Sequence, residues 1–305
     1  MKILFTGTSS FTGYWIVRQL AAAGHEVVCP VTGDLTAYTG VRQTRVEQLQ
    51  PLARFVPQAP FGTDNFLAAL RAEPFDLLCH HAAEMKDYRS PDFDAAGALQ
   101  KNTLNLRAVL AAAPKLKAVL LTGSVFEPDE GAGDEPRRAF SPYGVSKGMT
   151  FQYFRYYCHA AGLPLGKFVI PNPFGPYEEP RFTAHLMRNW KEGKYAEVKT
   201  PDYLRDNIHV DLLAAAYGQF VRHMVNVKIG CVKANPGGYV ERQGEFARRV
   251  AREVHARTGW ECKLKLARQE DFSEPIIRTN TEPTAKLNPT WNEKNAWDAF
   301  VAFYR

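Results

Sequence analysis

The first half of the chain alternates short apolar runs with longer segments whose apolar residues follow a helical spacing. The apolar runs predict strands at Lys2–Phe5, Glu26–Cys29, Arg54–Val56, Phe75–Cys79 and Ala118–Leu121. The helical spacing predicts helices at Gly13–Ala23, Asn65–Arg71 and Leu99–Ala113. Continuous apolar strands that alternate with helices are typical of a parallel sheet covered on both faces. We therefore predict an α/β fold, a Rossmann-type doubly wound parallel sheet.

The pattern changes after about residue 172. Proline and glycine become frequent there, at Pro171, Pro173, Gly175, Pro176 and Pro180. The apolar runs that follow are shorter and less regular. This change predicts a second, smaller α/β region appended to the sheet.

Composition and charge narrow the class of protein. With 45% hydrophobic and 23% charged residues, the chain matches globular proteins and not disordered or fibrous ones. Its 38 basic and 32 acidic residues leave a net charge of +6, spread along the chain. Binding to nucleic acid or to a membrane is therefore not expected, whereas an anionic small molecule fits.

Several absences favour a cytoplasmic protein. No apolar run is long enough to span a membrane, and the first residues lack the apolar core of a signal peptide. The five cysteines are dispersed and show no CxxC spacing. We expect reduced thiols, no disulfide framework and no metal site.

A glycine-containing turn follows the first predicted strand. Gly7 and Gly13 have the spacing of the first and third glycines of a nucleotide-binding turn, and Ser10 occupies the middle position. The first glycine permits a tight turn, and the third permits close packing of helix on strand. Backbone N–H groups between them can hold a pyrophosphate at the helix N-terminus. The position of this turn predicts a dinucleotide site.

The end of the second strand bears on which dinucleotide is bound. An acidic residue there binds the adenosine ribose of NAD, but this chain has Val31, and Asp34 lies three residues further on. Arg42 and Arg45 are the nearest cations for the 2′-phosphate of NADP. The sequence slightly favours NADP over NAD.

A tyrosine and a lysine in Ser141–Lys147 carry the clearest chemical signal. Pro142 can open a helix, which places Tyr143 and Lys147 at i and i+4 on one face. An adjacent ammonium stabilises a phenolate, so the tyrosine can exchange a proton near neutral pH. Thr122 and Ser124, at the end of the fifth strand, are the candidate hydroxyls for polarising a substrate oxygen.

Seven segments occur in the order found in one enzyme family. They are Gly7–Gly13, Asp76–Ala83, Asn102, Thr122–Phe126, the pair Tyr143 and Lys147, Pro171–Pro176, and Arg205–Asp211. With these segments the chain resembles the extended short-chain dehydrogenases/reductases, which comprise NAD(P)-dependent sugar-nucleotide epimerases, dehydratases and reductases. The resemblance covers nearly the whole chain.

The resemblance implies a role for each matched residue. Tyr143 would be the general acid/base, Lys147 would lower its pKa and hold the nicotinamide ribose, and Thr122 would be the catalytic hydroxyl, with Ser124 as the alternative. Residues expected to line the cofactor are Gly7, Ser9, Ser10, Phe11, Thr12, Gly13, Thr32, His80, Ala82, Ala83, Asn102, Tyr143, Lys147 and Pro171.

Substrate-binding residues are expected mainly in the second half of the chain. The candidates are Glu84, Asn172, Arg181, Arg205 and Arg242. Arg205 would bind the phosphates of a nucleotide sugar, since a planar guanidinium matches phosphate oxygens. The alternative for Arg205 is an ion pair with Asp206 or Asp211.

Departures from the family pattern reduce the number of candidate reactions. Sugar 4,6-dehydratases of this family carry an Asp-Glu pair after the catalytic threonine, but this chain has Gly123 and Ser124, which argues against a dehydratase. Glu127 replaces a glycine and could either serve the site or be solvated. We expect a 4-keto-sugar reductase, with a 4-epimerase as the alternative and a non-catalytic dinucleotide-binding protein as a further one.

The resemblance also suggests a domain division and an assembly. We expect residues 1–172 and 205–232 to form the dinucleotide-binding domain, and residues 173–204 and 233–305 to form the substrate-binding region. A homodimer is expected through the helices Leu99–Ala113 and Thr150–Ala161, because the second is rich in aromatic residues.

Overall fold

The computed structural model describes all 305 residues. Its strands are β1 (Lys2–Thr6), β2 (Glu26–Pro30), β3 (Arg54–Val56), β4 (Leu77–His80), β5 (Ala118–Ser124), β6 (Ala132–Gly133), β7 (Leu165–Ile170), β8 (Asn172–Phe174), β9 (Ala196–Val198), β10 (Leu204–His209), β11 (Cys231–Ala234), β12 (Pro236–Gly237), β13 (Tyr239–Arg242), β14 (Leu264–Leu266), β15 (Ile277–Thr279) and β16 (Glu282–Pro283). Its helices are α1 (Phe11–Ala22), α2 (Gly40–Leu49), α3 (Asp64–Ala72), α4 (Ala95–Asn102), α5 (Leu106–Ala112), α6 (Pro142–Ala160), α7 (Phe182–Lys191), α8 (Val210–Met224), α9 (Gln243–Thr258), α10 (Thr284–Leu287) and α11 (Glu293–Tyr304).

Contacts between residues divide the chain into two units. The sheet unit comprises Met1–Glu130, Arg138–Ile170 and Ala214–Ala234, and the C-terminal unit comprises Gly131–Arg137, Pro171–Leu213 and Asn235–Arg305. These bounds differ from the expected ones chiefly at residues 131–137 and 205–213. The reason is strand pairing, because β6 pairs with β15 and β10 pairs with β8, β13 and β15.

The sheet unit is a doubly wound Rossmann-type fold. Its seven strands follow the order β11-β7-β5-β4-β1-β2-β3, and every pairing is parallel. The strands are apolar along their length because both faces of the sheet are covered. One face packs Leu4, Leu78, Val119 and Leu121 against Phe154 of α6. The carboxyl ends of β1, β4 and β5 therefore lie side by side, where ligands bind in such sheets.

The predicted helix at Leu99–Ala113 is wrong as a single element. The structure has two helices, α4 and α5, separated at Thr103–Asn105. Asn105 adopts a left-handed conformation with φ of 50°, and its Nδ2 donates to the Gly62 carbonyl oxygen at 2.9 Å. The Asn105 side chain thus bonds to the backbone of another segment, and the helix is interrupted at this residue.

The C-terminal unit has its own sheet and core. The strands β13, β10, β15 and β6 form a sheet in that order, and β8 also pairs with β10. The core is aromatic, with Phe174 packed against Phe246, Trp297 and Phe300. None of the helices in either unit has the length and apolar character needed to cross a bilayer.

Candidate active site

The glycine turn between β1 and α1 is built by close backbone packing. Gly7 has φ of +80°, and a Cβ on it would lie 2.7 Å from the Ala82 backbone nitrogen. A Cβ on Gly13 would lie 2.2 Å from the Gly7 carbonyl oxygen. The hydroxyl of Ser10 donates to that oxygen and accepts from the Gly13 N–H, so Ser10 is the N-cap of α1. The positive end of the α1 dipole faces this turn, which suits a pyrophosphate.

A hydroxyl at the end of β1 organises the neighbouring strand. Thr6 Oγ1 accepts hydrogen bonds from the backbone N–H groups of His81 and Ala82, at 3.1 and 3.0 Å. Its own proton is then directed to His80 Nδ1, 3.0 Å away. His80 must therefore carry its proton on Nε2, which donates to the Asn102 carbonyl oxygen at 3.1 Å. This network fixes the His80–Ala83 segment against the glycine turn.

His81 bridges the glycine turn and the end of β5. Its Nε2 lies 3.0 Å from the Thr12 hydroxyl, and its Nδ1 lies 2.9 Å from the Thr122 hydroxyl. Burial, together with the nearby Lys147 ammonium, lowers the pKa of His80 and of His81 to about 3 each. Both rings are neutral at physiological pH, so they position other groups and do not act as general bases.

The two candidate hydroxyls of β5 have different surroundings. Thr122 is 5% exposed, and its hydroxyl is bonded to His81. Ser124, the last residue of the strand, is half-buried, and its Oγ accepts a hydrogen bond of 3.2 Å from the Phe126 N–H. The Ser124 hydroxyl keeps its proton available to another acceptor. The geometry therefore favours Ser124 over Thr122 as the hydroxyl that faces a substrate.

Tyr143 and Lys147 lie in the first turns of α6. Pro142 is at the start of the helix, as the sequence predicts, and Ser141 is the N-cap residue. The Tyr143 ring is buried in edge-to-face contact with Tyr88 and Phe93, at centroid distances of 5.5 and 5.8 Å. These contacts between rings fix the direction in which the Tyr143 phenol points.

Lys147 is buried beside the end of β5. Its Nζ donates to the Thr122 carbonyl oxygen at 2.5 Å. Burial lowers the pKa of Lys147 to about 8, an effect that Lys167 strengthens and Glu127 opposes. The ammonium is still mostly protonated at neutral pH, which is the form that stabilises a phenolate.

Two glycines of α6, neither of them predicted as a site residue, allow the helix to lie close to the turn after β5. A Cβ on Gly144 would lie 2.1 Å from the Phe126 carbonyl oxygen, and one on Gly148 would lie 2.9 Å from Pro128 Cδ. The turn after β5 therefore packs directly on the helix, next to Tyr143 and Lys147. The i, i+4 spacing of these glycines, parallel to that of the Tyr-Lys pair, is the signal that could have revealed the contact.

At the adenosine end of the predicted cofactor site, one of the two candidate arginines is already bound to the protein's own backbone. Val31 is buried after β2, and Thr32 is exposed. Arg45 is fully buried and donates to the Ser9 carbonyl oxygen at 3.1 Å, with its guanidinium over the Phe11 ring. Arg45 thus stabilises the glycine turn through its contacts with Ser9 and Phe11. Arg42, the other candidate cation, is exposed.

Asn102 and Glu84 are joined to each other. The Asn102 Oδ1 accepts from the Glu84 N–H at 2.9 Å, and its Nδ2 lies 3.4 Å from the Thr150 hydroxyl on α6. The Glu84 carboxylate pairs with Lys101 at 2.7 Å. Both residues brace the loop after β4, and their predicted ligand contacts stay predictions.

In the C-terminal unit, Asn172 and Arg205 lie on paired strands. Asn172 Nδ2 donates to the Asp206 carbonyl oxygen at 3.1 Å. The Arg205 guanidinium donates to the Ile276 carbonyl oxygen and to Glu274, both at 3.0 Å. Arg205 therefore forms an ion pair with Glu274, an acidic residue outside the two partners considered from the sequence, and its binding of substrate phosphates stays a prediction.

The remaining predicted ligands of the C-terminal unit are less enclosed. Arg242 is exposed and donates to the Asp202 carbonyl oxygen at 2.6 Å. Arg181 is the half-buried N-cap residue of α7. Pro171 is buried directly before β8. Their roles toward a cofactor or a substrate stay predictions.

A glycine turn at the first strand of a doubly wound sheet, with a buried Tyr-Lys pair beside the fifth strand, defines a dinucleotide-dependent enzyme of the extended short-chain dehydrogenase/reductase type. The chain belongs to the NAD dependent epimerase/dehydratase family, whose model matches residues 3–231. It is 26% identical over 230 residues to UDP-glucose 4-epimerase of Mycolicibacterium smegmatis, covering 71% of this chain and 72% of that protein.

Solved structures share the fold. One is a UDP-glucose 4-epimerase from Stenotrophomonas maltophila with bound NAD and formylated UDP-arabinopyranose, with a TM-score of 0.78, 18% identity, and coverage of 100% of this chain and 98% of that one. Another is UDP-glucuronic acid 4-epimerase from Bacillus cereus with UDP-glucuronic acid and NAD, with a TM-score of 0.75, 18% identity, and coverage of 100% and 99%. The dTDP-glucose 4,6-dehydratase DesIV from Streptomyces venezuelae has a TM-score of 0.73, 19% identity, and coverage of 100% and 97%.

Proposed function

We propose that this enzyme carries out oxidoreduction at a carbon of a nucleotide sugar, with Tyr143 moving the proton. The observation that carries the proposal is the buried Tyr143 and Lys147 pair at the end of β5, where the Lys147 Nζ is anchored on the Thr122 carbonyl oxygen. A nicotinamide dinucleotide, when bound, gives or takes the hydride in such chemistry.

The residues of the glycine turn fit such a dinucleotide. A Cβ at Gly7 or Gly13 would clash with backbone, so the turn presents bare main chain at the start of α1. Backbone N–H groups and the helix dipole at that place suit the pyrophosphate. Lys147, protonated at neutral pH, would hold the nicotinamide ribose hydroxyls.

Tyr143 and Ser124 have different roles at the reacting oxygen of the substrate. The Ser124 hydroxyl donates a hydrogen bond to the substrate oxygen, and the Tyr143 hydroxyl gives or receives its proton. Lys147 stabilises the phenolate form of Tyr143 by its positive charge. Neutral His81 holds Thr122, and through it the strand end, without entering the proton transfer.

We propose 4-epimerisation of a UDP-sugar as the first candidate reaction. It is supported by the relative from M. smegmatis, whose name is UDP-glucose 4-epimerase, and by the intact Tyr-Lys pair. Gly123 and Ser124, in place of an acidic pair, argue against a 4,6-dehydratase.

A 4-keto-sugar reductase is the second candidate, favoured by the end of β2. Buried Val31 offers no carboxylate to the adenosine ribose, which slightly favours NADP. The buried Arg45 removes one of the two cations on which that preference rested, and the solved relatives named above hold NAD where they hold a dinucleotide. We therefore give NAD precedence.

Two measurements on the purified protein test the proposal. The nucleotide released on denaturation is identified as NAD(H) or NADP(H), and the protein is incubated with UDP-glucose and UDP-galactose. Retained NAD with interconversion of the two sugars supports the epimerase. Tighter binding of NADPH than of NADH, with reduction of a 4-keto nucleotide sugar, supports the reductase. A protein that binds neither dinucleotide overturns both candidates.

We also propose a homodimer formed through α6. Val145, Met149, Tyr153 and Tyr156 are exposed and share one face of the helix, at spacings of three and four residues. Tyr156 is 69% exposed, an unusual surface for a large aromatic side chain. An isologous contact between two such faces would cover them.

A further inference from the structure

A fully buried carboxylate lies in the turn after β5. Glu127 Oε1 accepts a hydrogen bond of 2.7 Å from the Ser124 backbone N–H, and its Oε2 lies 2.5 Å from the Lys167 Nζ. We propose that Glu127 is a positioning residue that, itself fixed by Lys167, holds Ser124 in place for the reaction. The inference rests on the proposed function, in which Ser124 supplies the hydroxyl beside Tyr143.

Glu127 belongs to a four-member charge cluster. Lys167, on β7, also pairs with Glu130 at 2.6 Å, and Lys233 on β11 pairs with the same Glu130 oxygen at 2.6 Å. The Phe151 ring of α6 covers both ammonium groups, with its centroid 4.0 Å from Lys167 Nζ. Two carboxylates and two ammoniums balance, so the cluster carries no net charge.

Stability alone gives a weak reason for such a cluster. The side chains of Glu127 and Lys167 are each 1% exposed, so both charges have lost their water. The desolvation of a buried ion pair commonly offsets its attraction, and apolar replacements are often equally stable. What an apolar replacement could not supply is an acceptor for the Ser124 N–H. The directed hydrogen bond to the strand end is therefore the distinctive feature of Glu127.

The residue at position 123 is matched to this pair. A Cβ on Gly123 would lie 2.7 Å from Lys167 Cε and 3.2 Å from Glu127 Oε1. Gly123 thus leaves the space through which the Lys167 side chain reaches the turn. The absence of a side chain at 123 and the presence of a carboxylate at 127 are two parts of one arrangement.

The same pair influences the nearest catalytic cation. Burial lowers the pKa of Lys147, Glu127 raises it and Lys167 lowers it. The other titratable side chains close to Lys147 are Tyr143 on the same helix and the neutral rings of His80 and His81. Glu127 therefore acts on the site through both Ser124 and Lys147.

The test compares Glu127→Gln with Glu130→Gln. A glutamine amide has one acceptor oxygen, but the Glu127 carboxylate accepts from both Ser124 N–H and Lys167 Nζ. The Lys167 ammonium attracts that oxygen more strongly than the neutral N–H does, so the contact to Ser124 is the one that is lost. Glu130 shares Lys167 but does not contact Ser124. Hydrogen exchange of the segment containing Ser124 is measured by mass spectrometry, together with kcat, KM and NAD affinity.

We expect exchange around Ser124 to rise and kcat to fall at least about ten-fold in Glu127→Gln, with an unchanged KM for the nucleotide sugar. NAD affinity reports separately on Lys147, because Glu127 raises its pKa. Glu130→Gln is expected to leave both exchange at Ser124 and kcat near the wild-type values. Equal effects of the two substitutions, or a normal kcat in Glu127→Gln, would overturn the proposal.

A second variant and a second measurement cover the cases in which Glu127→Gln does not fold or the wild type shows no activity. If Glu127→Gln does not fold, Glu127→Asp keeps the charge but is one methylene too short to span both donors, and the same outcomes apply. If the wild-type protein converts no nucleotide sugar, the proposed function fails, and hydrogen exchange alone decides the positioning of Ser124. Unchanged exchange there in Glu127→Gln then contradicts the inference.

Discussion

The Nζ of Lys147 lies 2.5 Å from the carbonyl oxygen of Thr122, so the cation of α6 is tied to the main chain at the end of β5. The two elements meet because Gly144 and Gly148 let the turn after β5 approach the helix. This contact places a buried ammonium next to the end of β5 that carries the two hydroxyls. The chemistry of the site depends on that placement.

Replacing Lys147 by methionine should change how stability depends on pH. The pKa of Lys147 is lowered to about 8 in the folded protein, against 10.5 for the ordinary side chain. Between these values the unfolded state binds more protons, so the wild type gains stability as pH rises. Lys147→Met lacks this gain. We expect the unfolding free energy of wild type minus variant to increase by up to about 3 kcal/mol from pH 8 to 10.5.

Urea unfolding of both proteins across this pH range measures the difference. Titrating groups that do not interact with Lys147 are common to both proteins and cancel. Tyr143 does interact with Lys147, so both proteins are compared in the Tyr143→Phe background, which removes its titration. A difference that stays constant with pH would contradict the burial of a charged Lys147.

Substitution of the two hydroxyls of β5 should affect chiefly kcat in one case and chiefly stability in the other. Ser124→Ala removes the hydroxyl proposed to face the substrate, so kcat should fall about 100-fold or more. It also removes the acceptor of the half-buried Phe126 N–H, which should lower the unfolding free energy by only about 1 kcal/mol. Thr122→Val leaves His81 Nδ1 without its partner, so the unfolding free energy should fall by about 1–3 kcal/mol. Kinetics and thermal unfolding of the two variants check this assignment. A larger loss of kcat in Thr122→Val would return the catalytic role to Thr122.

Gly7→Ala should damage the nucleotide turn far more than its backbone angle alone explains. Gly7 and Gly24 have nearly equal φ values, +80° and +79°, but only at Gly7 would a Cβ meet backbone, at 2.7 Å from Ala82 N. Gly24→Ala is therefore a matched control, costing about 1–2 kcal/mol for the left-handed conformation. We expect Gly7→Ala to abolish NAD binding and Gly24→Ala to preserve it, as measured by calorimetry. Equal NAD affinity in both variants would exclude a cofactor role for the turn.

The exposed face of α6 should control assembly. Met149→Glu places a charge in the proposed isologous contact and should convert a dimer to a monomer in sedimentation velocity. Ile229, 72% exposed elsewhere on the sheet unit, provides the control, since Ile229→Glu should leave the dimer intact. A wild-type protein that is monomeric at micromolar concentration would contradict the proposed dimer.

The parts of the structure that follow local rules could be predicted from the sequence. The buried strands β1, β4 and β5 are continuous apolar runs, and the Tyr143 and Lys147 spacing needs only a helix opened by Pro142. The helix α2 left almost no apolar pattern, because a buried arginine, Arg45, occupies one of its inward positions. That helix was therefore not predicted.

Features that depend on distant partners could not be predicted. Glu127 and Lys167 are 40 residues apart in the sequence, and nothing near either one indicates an ion pair. The expectation that Glu127 could be solvated is wrong, because it is fully buried. The preference for Ser124 over Thr122 likewise depends on His81, which reaches Thr122 only through the pairing of β4 with β5.

We propose that Tyr143 transfers the proton in a nicotinamide-dependent reaction of a nucleotide sugar. The most direct test is the single-turnover rate of nucleotide-sugar conversion in the wild type and in Tyr143→Phe, with dinucleotide affinity measured for both. We expect a rate at least about 100-fold lower in Tyr143→Phe, with unchanged dinucleotide affinity. A Tyr143→Phe variant that converts the substrate at the wild-type rate would contradict it.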